Sequence, residues 1–301
     1  MLPHPECSEP EPPFIELVEA DQSFFRSLPC GSASDIGQQV SFHYCLLDDG
    51  SHYFSWRDIY EFLVPPHDLR IIGRFFDGVP AESFLPYLVA GGLSFCFLKL
   101  GLDPIHATAV AVEGGAIGFL GSSGYGKSSL AGEFLAAGHL MLTDDLLVLR
   151  KESSKFFAYP GPPHIKLSNE LAPIVLQKAA EGAIHNPHTL KLTIPLTTTQ
   201  CVQAPVPLKA LYLLNRPRKL EGTNTIKIHR LSQTQGLLTL IRNCFNDWVT
   251  GSSRLKLQLD SYSQIASEVP IKSIVYPRRL GLLSDVRNSI LEDLWKLHAE
   301  E

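Results

Sequence analysis

The window Gly121-Ser-Ser-Gly-Tyr-Gly126-Lys127-Ser128 constrains this chain more than any other stretch of it. It fits G-x-x-x-x-G-K-[ST] at every fixed position, follows the apolar run Ala116 to Leu120, and precedes the helix-compatible Ser129 to Ala137. Such a strand, glycine-rich loop and helix give a phosphate somewhere to sit. The glycines let backbone N–H groups converge on phosphate oxygens, and the helix N-terminus adds the positive end of its dipole. Lys127 is placed to reach phosphate and Ser128 to reach magnesium. The expected nucleotide-binding residues are therefore Gly121, Ser122, Ser123, Gly124, Tyr125, Gly126, Lys127, Ser128 and Ser129, with Tyr125 either stacked on the base or facing solvent. In a chain of ordinary composition the four fixed positions would coincide by chance on the order of one time in a hundred, before a strand and a helix are required on either side.

Beyond the helix, Gly138-His139 makes a break and Leu140-Met-Leu-Thr143 leads directly to Asp144-Asp145, 17 residues past Lys127. A right-handed strand-helix-strand unit sets the two strands parallel, so both carboxylates are expected at the sheet edge that carries the loop. There one carboxylate can bind a cation while the other accepts a hydroxyl proton. A solvated loop pair or a helix N-cap is the plainer reading of Asp-Asp, and the position beside the loop outweighs it. Upstream, Ala107 to Val112 and Ala116 to Leu120 flank Glu113-Gly114-Gly115, which predicts an antiparallel hairpin. Pairing Ala111 with Ala116 sets His106 opposite Gly121, at the mouth of the loop, unless the register slips by one. The other histidines show no metal-ligand spacing, and His185 and His188 fall in an expected loop.

Composition removes several classes of function. Lys and Arg number 26 against 31 Asp and Glu, a net charge of -5, so no basic surplus exists to neutralise a nucleic-acid backbone. Cys7, Cys30, Cys45, Cys96, Cys201 and Cys244 contain no CxxC pair, which argues against a zinc knuckle or redox dithiol and fits reduced thiols in the cytoplasm. The start, MLPHPECSEPEPPF, lacks the basic and then apolar order of a signal peptide. The most apolar window, Phe84 to Leu98, is interrupted by Pro86, Gly91 and Gly92, and is shorter than the roughly 20 residues a bilayer requires; it is expected to be a buried helix.

With 301 residues, 45% of them hydrophobic and 19% charged, the chain can bury one large core or two modest ones. The expected organisation is a loose tail over 1–35, a small β-rich region with the buried helix over 36–100, and an α/β nucleotide-binding domain over 101–301. Alternating runs such as Leu69-Arg-Ile-Ile-Gly-Arg-Phe support the second part. Leu208 to Leu214 reads as a further buried strand and Ser284 to His298 as an amphipathic C-terminal helix.

The stretch His106 to Asp145, HATAVAVEGGAIGFLGSSGYGKSSLAGEFLAAGHLMLTDD, resembles the bacterial HPr serine kinase family, whose core is akin to that of phosphoenolpyruvate carboxykinases. In that family a histidine precedes the hairpin, the loop reads G-x-S-G-x-G-K-S, a Gly-His pair follows the helix and two aspartates close the unit. The resemblance implies an α/β P-loop fold with ATP and Mg2+ as cofactors. It implies Asp144 as base with His106 beside it, Lys127 acting on the phosphoryl group, and Asp145 with Ser128 as metal ligands, the division of labour between the aspartates being the less fixed part. Weaker similarity continues through Ala158 to Leu167, Pro205 to Leu214 and Val269 to Arg278. It is of the kind seen in stand-alone members that phosphorylate ribosomally made precursors such as lasso peptides. The implied partner is a serine-bearing peptide or protein, with association into homo-oligomers through the core. Two departures stand out: Ser129 replaces a frequent Glu, and the I-R-G-R-G signature is missing. They set the chain apart from recognition of HPr itself and from the reverse phosphorylase reaction. Lys166, Lys191 and Arg216 are candidates for the cation that the signature would have supplied. A nucleotide-binding regulatory module and a small-molecule kinase are the alternatives, the first disfavoured because a mere binder has no need of the acidic pair.

Overall fold

The strand Gly115–Leu120 is buried along its whole length, and its alternate side chains enter two different cores. Ile117 and Phe119 join Leu130, Phe134, Val286 and Ile290 on one side. Ala116 and Leu120 join Leu211, Leu240, Tyr262 and Ile265 on the other. A strand apolar on both faces has to be covered on both, and layers of helix on each side of the sheet follow from that demand.

The computed structural model describes residues 14–29, 42–56, 59–79, 87–173, 183–186, 191–216 and 225–299. The chain divides into two units, 1–84 and 85–301. In the first, β1 (Glu16–Glu19), α1 (Gln22–Arg26), β2 (Phe42–Leu46), β3 (His52–Trp56), β4 (Tyr60–Val64) and β5 (Arg70–Phe75) build a five-stranded sheet of order β1-β5-β4-β3-β2. The strand β1 runs parallel to β5, and the other neighbours are antiparallel. The segment expected to be a loose tail is thus structured from residue 16. Its proline cluster ends at Pro13, Glu16 pairs with Arg70 at 2.8 Å, and Phe25 packs with Leu47 and Leu63.

The second unit opens with a π-helical turn, Leu88–Leu93, that runs into α2 (Ser94–Lys99). This helix falls in the second unit rather than with the β-rich region, because Leu93 and Phe97 pack on Leu146 and Val148. There follow β6 (Ile105–His106), β7 (Thr108–Val112), β8 (Gly115–Leu120), α3 (Lys127–Ala136), β9 (Leu140–Thr143), β10 (Leu146–Glu152) and β11 (Lys155–Tyr159). Next come β12 (His164–Ser168), β13 (Ile184–Asn186), β14 (Lys191–Pro195), β15 (Val206–Asn215), β16 (Lys227–Arg230), α4 (Gln233–Arg242), α5 (Ser252–Glu268), β17 (Ile271–Val275) and α6 (Leu283–Ala299). The main sheet has nine strands, with the path β6-β10-β11-β15-β8-β7-β9 and β17 and β16 attached beside β15. The helices α3 and α6 cover one face, and α4 and α5 the other. His185, expected in a loop, lies in β13 opposite Leu192, and His188 is outside the described residues.

The hairpin of β7 and β8 pairs Ala111 with Ala116, the predicted register. Both β8 and β9 are antiparallel to β7, so they run in the same direction with β7 between them. The loop after β8 and the aspartates after β9 therefore leave the sheet at one edge. Close packing fixes the end of β9. Gly161 N–H donates to Leu142 O at 2.8 Å, and a Cβ on Gly161 would stand 2.2 Å from Thr143 Oγ1. Gly161→Ala is expected to cost about 1–3 kcal/mol by overpacking, read as a lower urea midpoint at unchanged m-value.

Candidate active site

The loop owes its shape to backbone angles that side chains rarely allow. Gly121, Gly124 and Gly126 have φ of 139°, 77° and 95°, so the glycines the sequence pattern requires are also those the conformation requires. The helix α3 begins at Lys127, immediately after them, with its free N–H groups facing the loop. Lys127 is 6% exposed and its Nζ donates to Gly121 O at 2.7 Å. Burial lowers its pKa, and the charges of Asp145 and Asp144 partly restore it.

Asp144 is 1% exposed. Its Oδ1 accepts from Thr108 Oγ1 at 2.7 Å and from Ser128 Oγ at 3.0 Å, and its Oδ2 from the Lys166 backbone N–H at 2.8 Å. Strand β7, helix α3 and strand β12 each deliver one donor. Burial, reinforced by the adjacent Asp145 charge, nonetheless raises its pKa above the ordinary carboxylate value. Asp145 is held differently. Its φ is 72°, a left-handed conformation that Asp tolerates better than most residues, and its side chain is 24% exposed. Lys166 Nζ reaches its Oδ2 at 2.8 Å and His106 Nε2 stands 3.5 Å from its Oδ1. Burial alone would raise the Asp145 pKa, but Lys166 and His106 hold it well below the usual range.

Thus His106 meets Asp145, where Asp144 was expected to be its partner. The reason is local: β6 pairs with β10, setting His106 opposite Leu146, one residue past Asp145. Ser128 for its part meets Asp144. His106 is not opposite Gly121 in a ladder; Asn243 bridges the two instead. The Asn243 carbonyl accepts the His106 N–H at 2.6 Å, its Oδ1 accepts the Gly121 N–H at 3.0 Å, and Phe245 stacks on the His106 ring at 5.2 Å. Of the three candidate cations, Lys166 is the one at the carboxylates. Lys191 lies near enough to Lys127 to lower its pKa, and the Arg216 guanidinium sits over the Tyr125 ring at 4.7 Å. Ser122, Ser123 and Ser129 lie at the loop with the residues above.

Sequence reasoning missed Thr108, Asn243, Phe245 and His164. The first occupies an inward position of the hairpin that the alternation does reveal, whereas Asn243 and Phe245 carry no local signal. His164 Nε2 is buried without a hydrogen bond, and burial together with Lys166 lowers its pKa.

Oxygen donors converge at Ser128 and Asp144, which suits a hard divalent ion. Among the described residues no group of three or more His, Cys, Asp or Glu could hold a metal alone, so such an ion would need phosphate oxygens and water to complete its shell.

Comparison with known proteins bears on this arrangement. No protein-family model matches the chain. An HPr kinase/phosphorylase of Caldicellulosiruptor bescii is 33% identical over 97 residues, 31% of either chain, and one of Lachnoclostridium phytofermentans is 43% identical over 60 residues, 19% of either chain. Over these stretches the chain is similar to HPr kinase/phosphorylases. The similarity spans less than a third of the length of these curated relatives. The solved Hpr(Ser) kinase/phosphatase of Coxiella burnetii aligns with 65% of this chain and 99% of its own at 13% identity and a TM-score of 0.37. No helix among the described residues is long and apolar enough to cross a membrane.

The half-buried His164 gives this site a pH signature. His164 has a folded-state pKa below the 6.5 of an exposed imidazole, so the unfolded chain binds its proton first and stability is lost as pH falls through 6.5 toward the folded value. Urea midpoints at about pH 7.5 and about pH 5.5 should differ less in His164→Asn than in the wild type. An equal difference would remove His164 as a source of the slope.

Proposed function

We propose that this chain is an ATP- and magnesium-dependent kinase that transfers a γ-phosphoryl group to a serine hydroxyl of a peptide or protein, with ribosomally made precursors of the lasso type as the favoured acceptors. The observation that carries the reading is the sharing of one sheet edge by the glycine loop, a buried carboxylate bonded to Ser128, and a second carboxylate open to solvent. A module that only bound nucleotide would use the first of these and leave the third without a task. The names of the curated relatives, both HPr kinase/phosphorylases, support the same class of chemistry.

Exposure decides the roles. An incoming hydroxyl can touch Asp145, which is 24% exposed, and cannot touch Asp144, which is 1% exposed. We therefore assign Asp145 as the proton acceptor and Asp144 with Ser128 as the metal-holding pair, the reverse of the division that the family resemblance implies. Asp144 and Ser128 would hold a magnesium ion, which would supply positive charge to offset that of the phosphates. Lys127 and the loop amides hold the phosphates in line. The serine Oγ bonds to the γ-phosphorus, the bond to the β–γ bridging oxygen breaks, ADP leaves, and the hydroxyl proton passes to Asp145. The low basicity of Asp145 is compatible with this, because a loose phosphoryl-transfer transition state asks for little proton abstraction before the leaving bond breaks. Lys166 and His106 fix the carboxylate, and Lys166 is the one of the three candidate cations that touches it.

Transfer of radiolabelled γ-phosphate to a peptide ending in serine tests the reading. The wild type is expected to label the peptide, and Asp145→Asn to lower the rate by about 10²–10⁴-fold with nucleotide affinity retained. Wild-type labelling by Asp145→Asn would refute the base assignment, and label appearing only in free phosphate would refute the acceptor class.

A further inference from the structure

The phosphate loop has a second side. Ser128 faces Asp144, while Gly126 and Ser129, three residues apart and so on one face of the first helical turn, line a cleft of about 260 Å³ on another side. Its apolar wall is Leu171, Tyr276 and Leu283, and its rim carries Arg278 and Arg279, all from β17 onward except Leu171. Pockets that enclose whole drug-sized ligands run from roughly 300 to 1,000 Å³, so this cleft has room for a heterocycle and little more.

Resting on the kinase reading above, we infer that this cleft receives the purine base of the nucleotide, with the Arg278 guanidinium stacked on it. Direction along the loop supports the placement. The γ-phosphate end is fixed by Ser128, Asp144 and Lys127, so the α-phosphate, sugar and base must extend the opposite way across the loop, and the cleft begins there at Ser129. Chemistry supports it too: an aliphatic and phenolic floor under a guanidinium matches a flat, weakly polar ring, and arginine stacks on such rings. The Tyr276 hydroxyl stands 3.5 Å from where a Gly126 side chain would begin, and burial pushes its pKa up to about 12, so it stays a hydrogen-bond donor beneath the loop. Tyr125, the other ring near the phosphates, already carries the Arg216 guanidinium on its face.

The test compares ADP with pyrophosphate, both with magnesium, by titration calorimetry on the full chain. Both carry two phosphates, and only ADP has a base. Arg278 is exposed, so Arg278→Ala leaves the fold intact, which circular dichroism and the thermal midpoint would verify. ADP should bind the variant about two- to thirty-fold more weakly, the range one stacked guanidinium supplies, while pyrophosphate affinity stays the same. Equal losses for both ligands would make Arg278 a phosphate contact and overturn the inference, as would unchanged ADP affinity. If neither ligand binds the wild type, or if Lys127→Ala alters neither affinity, the kinase reading itself falls, an outcome distinct from failure of the base site alone.

Discussion

One carboxylate with three donors organises this protein. Asp144 takes a hydroxyl from β7, a hydroxyl from the first turn of α3 and a backbone amide from β12, so elements from three places in the chain are held at fixed distance from the same two oxygens. A buried ionised group tolerates few losses, since each missing donor leaves charge uncompensated in a medium that screens it poorly. The raised pKa of Asp144 shows that three donors do not fully offset its burial and the neighbouring Asp145 charge. The residual deficit is what a divalent cation would cancel, and structure and proposed chemistry are thereby linked through one residue.

The two aspartates show how adjacent identical side chains acquire opposite characters. The backbone at Asp145 turns left-handed at φ 72°, sending its side chain away from the pocket of Asp144 and toward Lys166 and His106. One carboxylate lies among neutral donors and becomes a weaker acid; the other lies against a cation and becomes a stronger one. Separation of acid strength between neighbours is the usual way a site divides tasks between them.

How much of this was legible in the sequence depended on range. The loop, the helix after it, the hairpin register and the common edge for Gly121 to Ser128 and the aspartates follow from local patterns, and each depends on residues fewer than about 40 positions apart. The pairing of β6 with β10 was not legible, because two residues of strand carry no periodicity, and that pairing decides which aspartate meets His106. Asn243 was equally hidden: it bridges the loop from 122 residues away, and nothing in its own neighbourhood distinguishes it from the polar end of an amphipathic helix. The early strand β1 escaped notice because its four residues, Glu-Leu-Val-Glu, carry no alternation and find their partner only in β5.

The stored position of Lys127 has a kinetic and thermodynamic corollary. Its ammonium group is tied to the Gly121 carbonyl inside the loop, so the side chain has already surrendered its rotational freedom and most of its hydration during folding. An arriving polyphosphate would have only to exchange one acceptor for another over a short swing, without recruiting a solvated, wandering chain. In such a loop, discrimination between anions falls to the competition between a carbonyl dipole and a full negative charge, which favours multiply charged ligands and leaves weak monoanions outside.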